Sequence, residues 1–192
     1  MVNTDDIVNA LDEAIDDEST KAIILDINSC GGETTGIEEL ARKIKSVDTQ
    51  IPVYCWCENS MYSAAYWLGS QARFVGMTPS AGVGSVGVYT LRFDISEKNK
   101  NEGVKVNAIS SGKYKLMMHE FNPLTEEEMA IIQKDVIKTH DKFKNAILES
   151  RPNVVTESLE GLCYEGDEAL TNNLVDFVTD DFNNFFEEIS KQ

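Results

Sequence analysis

The chain has 192 residues, enough for one sizeable core, and its 33 acidic against 17 basic residues leave a net charge of −16. No basic patch stands out, which excludes nucleic acid as an expected partner, and the acidic pairs scattered along the chain suit solvated helix ends better than a disordered tail. No apolar run approaches the ~20 residues of a membrane span, the opening MVNTDDIVNA lacks a basic region followed by an apolar core, and Cys30, Cys55, Cys57 and Cys163 do not have zinc-ligand spacing. The expectation is a single domain over residues 1–192, cytoplasmic and not exported, with reduced and mostly buried thiols and no membrane segment.

In chain order, Asp5 to Asp17 places Ile7, Val8, Leu11 and Ile15 at helical spacing, so an amphipathic helix comes first. Lys21 to Ile27 reads as a core strand that ends in Asn28-Ser29-Cys30-Gly31-Gly32. A plain tight turn is the commoner meaning of a double glycine. Directly after a strand, it also allows a backbone N–H to approach whatever sits above the sheet edge. Thr35 to Lys45 follows as a helix with the apolar stripe Ile37, Leu40, Ala41 and Ile44.

Ile51 to Trp56 is a buried parallel strand, rich in β-branched and aromatic residues and ended by Glu58-Asn59. From Ser63 the residues Ala64 to Leu68 suit a helix packed on the sheet, which puts Ser63 at a strand-to-helix turn. An N-cap is the commoner role for such a serine. The same place also suits a nucleophile, because the next amide can point at an oxyanion and the helix N-terminus favours negative charge.

Arg73 to Gly76 reads as a short strand, and Pro79 to Tyr89 carries glycines without the GxGxxG form or a Walker lysine. Backbone approach by a bound peptide fits them better, which makes Gly82, Val83, Gly84, Val86 and Gly87 candidate substrate-binding residues. A charged helix end or loop at Ile95 to Asn101 leads to an expected strand, Val104 to Ile109, and then to the lysine-bearing loop Ser110 to Leu116. Thr125 and Glu128 form a capping box, with Leu124 and Met129 as its hydrophobic staple. The long helix after it carries the stripe Met129, Ile132, Val136, His140, Phe143 and Ile147 and ends at Arg151-Pro152. His140 on that stripe is expected to be packed rather than catalytic. A short helix around Asp167 to Asn173, a strand Leu174 to Val178 and a terminal helix through Phe182, Phe185, Phe186 and Ile189 close the chain. Alternating strands and helices make an α/β fold with a mainly parallel sheet.

A nucleophilic Ser63 needs a base, because a serine hydroxyl is a weak nucleophile at neutral pH. His119, in a polar loop, and a lysine of lowered pKa both remain open on the residues alone.

Four segments in register, KAIILDINSCGGE, SAAYWLGSQARFVGMTPSAGVGSVGV, SSGKYK and YEGDEALTNNLVD, resemble the SppA-like serine peptidases, which include signal peptide peptidase A and bacteriophage capsid-assembly proteases. The similarity runs from about Ala14 to Asp176, and the SAAYW form looks more like the phage branch. The resemblance implies a ClpP/crotonase-like fold and a Ser-Lys dyad in which Ser63 is the nucleophile and Lys115 the general base, with Lys113 as an exposed neighbour. It also implies an oxyanion hole from the backbone N–H groups of Gly32 and Ala64, a lysine-orienting hydroxyl at Ser85, and no cofactor. Its expected partners are a protein or peptide substrate and further copies of itself in a ring or dome, within a host cytoplasm or immature virion for a phage enzyme.

Two departures from the family pattern stand out. Cys30 replaces the usual turn proline, and the sequence starts at the first helix where the family ordinarily has a strand and turn, so the expectation is either a sheet that lacks an edge strand or a real start that lies upstream. Besides a prohead-type endopeptidase, the readings carried forward are a cellular signal-peptide-peptidase-like enzyme degrading peptide remnants, an inactive paralogue serving assembly, and an acyl-CoA enzyme of the same fold.

Overall fold

The computed structural model describes residues 3–191. In chain order its helices are α1 (Thr4–Asp16), α2 (Ile37–Asp48), α3 (Ala64–Gly69), α4 (Ser96–Asn101), α5 (Glu126–Ser150), α6 (Gly166–Thr171) and α7 (Phe182–Ile189). Its strands are β1 (Ile23–Asp26), β2 (Val53–Cys57), β3 (Ser60–Tyr62), β4 (Phe74–Met77), β5 (Gly82–Gly84), β6 (Cys163–Glu165) and β7 (Phe177–Val178). The chain divides into two compact units, one of residues up to Gly87 together with those from His140, the other Val88–Thr139.

The first unit is α/β. Its main sheet is wholly parallel in the order β1-β2-β4-β7, with Leu25 opposite Cys55 and Cys55 opposite Val75. Every residue of β2 is buried because both faces of that strand are covered. Val53, Cys55 and Cys57 point into the core formed with α2 and α3, while Tyr54 and Trp56 point the other way, onto Phe185 and Ile189 of α7. The two thiols therefore share a face, as their spacing requires. Burial raises both, the Cys57 thiol to about 12. Two glycines set the closeness of these layers, since a methyl at Gly69 would strike the Met61 sulfur and one at Gly76 would strike the Phe185 ring.

A second, three-stranded sheet runs β3-β5-β6, with β3 parallel and β6 antiparallel to β5. Nothing in the residue pattern marks β3 or β6, because three-residue strands carry no readable period. The strand expected at Leu174 to Val178 shortens to Phe177–Val178, and Leu174 and Val175 are buried ahead of it.

The C-terminal end of α5 is anchored in this unit by aromatic and ionic contacts. Trp67 stacks on Phe143 with ring centroids 4.6 Å apart. Arg151, buried, grips Asp176 with two hydrogen bonds of 3.0 and 2.8 Å and donates a third to the Asn173 carbonyl, while Asp176 also accepts from the Val75 amide.

The second unit contains α4, the first turns of α5 and no strand. The capping box forms as expected: Glu128 accepts from the Thr125 amide and hydroxyl, and the Thr125 hydroxyl accepts from the Glu128 amide. Met129, the residue expected to staple to Leu124, is 56% exposed; of the α5 stripe, Phe143 and Ile147 are fully buried, and both belong to the first unit. Val104 to Ile109 is irregular and exposed throughout instead of forming the expected strand. The Arg92 guanidinium, donating to the His119 and Asn122 carbonyls, ties the loop together.

Removing one partner of a buried ion pair leaves an uncompensated charge, so Asp176→Ala should cost about 3–5 kcal/mol in denaturant unfolding. Lys191→Ala, which breaks only the exposed pair with Glu188, should cost less than about 1 kcal/mol.

Candidate active site

Ser63 joins β3 to α3 in a conformation that L-residues seldom adopt, φ 53 and ψ −124. Both of its peptide groups are fixed: its N–H donates to the Gly84 carbonyl at 2.8 Å, and its own carbonyl accepts from the Trp67 amide at 2.9 Å. The side chain makes no capping hydrogen bond, so the N-cap role does not explain it. Strain of this kind persists only where the surroundings impose it.

The turn at Gly31 imposes it. Ser29 lies opposite Met61 in a parallel bridge, its N–H donating to the Ser60 carbonyl at 2.8 Å and its carbonyl accepting from the Tyr62 amide at 3.0 Å, which lays the turn alongside β3. Gly31 then sits at φ 94, where a methyl would lie 2.8 Å from the Ser63 Cβ, 2.7 Å from the Tyr62 carbonyl oxygen and 3.1 Å from the Ala64 nitrogen. Gly32, next in the chain, is exposed, and a methyl there meets nothing within 4 Å. The close approach is therefore made by the first glycine, a residue not singled out from the sequence although the double glycine signalled the turn. The Ala64 N–H begins α3 and has no intrahelical acceptor. Among the described residues, neither it nor the Gly32 N–H donates to a backbone carbonyl in the turns and loops.

Ser85 is the second strained non-glycine residue here, at φ 53, with its N–H donating to the Leu162 carbonyl at 2.7 Å. No hydrogen bond engages its hydroxyl among the described residues. The expected strand addition across residues 82–88 needs correction for Gly82, Val83 and Gly84. These form the central strand of a sheet, paired to Ser60–Tyr62 on one side and Cys163–Glu165 on the other, so they have no free edge to offer a peptide. Gly82 instead makes room for the ring of Tyr62, which a methyl there would strike. Val86 and Gly87 lie beyond the paired stretch.

Of the candidate bases, His140 places Nε2 3.1 Å from the Leu159 carbonyl, the packed role expected from its stripe, and His119 stacks on Phe121. Lys113 is bound by both carboxylate oxygens of Glu127 at 2.8 Å, and Tyr114 donates to the same carboxylate at 2.6 Å. The hydrogen bond that Lys113 donates to Glu127 pushes it above the ordinary lysine range and keeps it charged. Lys115 is exposed in the second unit, and its ammonium has no hydrogen bond or ion pair among the described residues. Thus the first unit brings together Ser63, Ala64, the Gly31-Gly32 turn and the Gly84-Ser85 corner, while both lysines belong to the second unit. No described helix is long and apolar enough to cross a membrane.

Residues 45–190 match the profile of peptidase family S49. A Methanocaldococcus jannaschii protein provisionally named a protease is 33% identical over 174 residues, covering 89% of this chain and 56% of its own length. An Enterococcus faecium protein provisionally named signal peptide peptidase SppA is 31% identical over 182 residues, covering 92% and 52%. The capsid assembly protease C of Escherichia phage lambda is 26% identical over 179 residues, covering 92% and 40%. The chain therefore spans about half the length of the first two relatives. Among solved structures, a variant of the 1510-N membrane-bound stomatin-specific protease superposes with a TM-score of 0.61 at 14% identity, covering 97% of this chain and 79% of that one, a likeness of fold. With the strained serine, the glycine turn against it and three quarters of its length inside one family profile, the chain belongs to peptidase family S49, the SppA-like peptidases of ClpP-like fold.

Proposed function

We propose that this chain carries the catalytic machinery of a serine endopeptidase with a Ser63–Lys115 dyad. The observation that supports it most is the interlock of Ser63 with Gly31, which leaves the Ser63 hydroxyl uncommitted beside amides that have no acceptor. In the reaction, neutral Lys115 removes the hydroxyl proton as Ser63 attacks a peptide carbonyl. The N–H groups of Gly32 and Ala64 hold the oxyanion, where one such donor is typically worth ~10²–10³ in rate. The ammonium of Lys115 then protonates the leaving amine, and water activated by Lys115 releases the acyl group. Ser85, with a free hydroxyl, orients the lysine, and the backbone of Val86 and Gly87 pairs with the substrate strand. No cofactor enters these steps.

For substrate, the SAAYW form supports a prohead-type enzyme acting on scaffold or head proteins, in a homo-oligomer. The cellular reading, degradation of peptide remnants, is supported by the higher identities to the archaeal and enterococcal proteins than to the phage lambda protease.

Hydrolysis of an unfolded, dye-quenched protein substrate should fall on the order of 10³-fold or more in Ser63→Ala and in Lys115→Ala, with Lys113→Ala close to wild type. An active Lys115→Ala protein would remove the lysine from the mechanism. The pH profile separates the two lysines further. Because Glu127 raises Lys113, Glu127→Gln lowers it, and a base that must be neutral would then work at lower pH. With Lys115 as base, the acidic limb of the rate profile stays in place in Glu127→Gln; a shift to lower pH would assign the role to Lys113. In the turn, Gly31→Ala should abolish activity, whereas Gly32→Ala, whose methyl meets open space and whose amide survives, should retain most of it.

A further inference from the structure

Ser111 to Met118, the stretch that carries Lys115, is a run of bends and turns. The Ser110 hydroxyl donates to the Gly112 carbonyl at 2.8 Å, the Lys115 N–H donates to the same carbonyl at 3.2 Å, and the Met117 N–H donates to the Tyr114 carbonyl at 3.1 Å. Bonds of this kind shape the loop without tying it to another element. Lys115 adds a long exposed side chain whose ammonium has no partner among the described residues. A general base must stand within hydrogen-bond reach of the proton it takes, so the loop that carries it has to be held.

Glu127, in the first turn of α5, supplies the hold. Its carboxylate accepts from the Lys113 ammonium at 2.8 Å on each oxygen and from the Tyr114 hydroxyl at 2.6 Å, so two consecutive loop residues meet one helical side chain. The Lys113 ammonium also lies 4.8 Å from the centre of the Tyr114 ring. The hydrogen bonds from Lys113 and then Tyr114 keep the Glu127 carboxyl below its ordinary range, and so an acceptor. Glu128, the next residue, is taken up by the capping box with Thr125, which fixes the helical turn that bears Glu127. The ion pair is exposed and contributes little to stability, so what it governs is the place of the loop rather than the survival of the fold.

We propose that Glu127 is a positioning residue for hydrolysis: through Tyr114, with Lys113 as a second hold, it fixes the loop from which Lys115 acts as the general base. This rests on the Ser63–Lys115 reading and adds to it a residue that touches neither substrate nor nucleophile. The two holds on Glu127 are redundant. With Lys113 removed, the Tyr114 hydroxyl still meets the carboxylate, and with that hydroxyl removed the lysine still does. Only loss of both, or of Glu127 itself, frees the loop.

Steady-state kinetics of the full chain on the dye-quenched protein substrate, with a thermal melt of each variant, test it. Tyr114→Phe, like Lys113→Ala, should stay near wild type. Glu127→Ala and Lys113→Ala/Tyr114→Phe should each lose about 10-fold or more in kcat, with KM and the melting midpoint unchanged, because a misplaced base costs rate and not binding. Adding Glu127→Ala to the double variant should change nothing further, since all three residues act through one contact. Glu127→Gln, whose amide oxygen still accepts from Tyr114, should recover most of the rate. Wild-type kcat in Glu127→Ala, losses that simply add, or a loss matched by a fall in the melting midpoint would each overturn the proposal. Lys115→Ala in the same assay separates the two readings. Activity that survives it removes the dyad and this proposal with it, whereas an inactive Lys115→Ala beside a fully active Glu127→Ala removes the positioning role alone.

Discussion

The structure depends on one steric fact: no Cβ fits at Gly31. The turn after β1 presses on the Tyr62–Ala64 backbone so closely that only hydrogen can stand between it and Ser63. That approach, with the 2.8 Å hydrogen bond from the Ser63 N–H to Gly84, holds the serine at φ 53. Held there, Ser63 makes no capping hydrogen bond to its own helix. The two sheets serve this point. The parallel sheet brings the glycine turn to the end of β1, and the small sheet brings β3 and β5 together so that Gly84 can fix the serine amide.

Packing explains why such strain is tolerated. Behind Ser63, α3 is buried on the sheet, with Gly69 against Met61 and Cys55, Tyr66 donating to the Leu174 carbonyl at 2.8 Å, and Trp67 stacked on Phe143. The cost of a residue at positive φ, about 1–3 kcal/mol, is small beside the apolar surface that this helix removes from water. The buried Arg151–Asp176 pair adds a polar lock at the far end of α5, tying the helix to the segment that precedes β7.

Much of this was legible in the residues. The 3.6-residue stripes of α1, α2 and α7, the buried run of β2, the capping box of α5 and the packed role of His140 all follow from local pattern, and local pattern is what a sequence displays. The candidate site was legible in its parts, as a serine before a helix and a double glycine after a strand. What was not legible depends on pairing between distant segments. β3 and β6 are three residues long and exist because β5 lies between them, which also removes the open edge expected of Gly82 to Gly84. Val104 to Ile109 alternates like a strand but has no ladder partner, so propensity alone does not make it one. The identity of the close glycine, Gly31 rather than Gly32, turns on a backbone angle that the sequence does not print.

The central claim is that Ser63 is a nucleophile rather than a strained turn residue, and peptide mapping by mass spectrometry after treatment with a serine-reactive phosphonate tests it most directly. The account predicts one adduct, on the peptide containing Ser63, which forms in the native protein and is lost once the fold is melted before treatment. A folded protein that takes up no phosphonate, or carries it on another serine, would contradict the account.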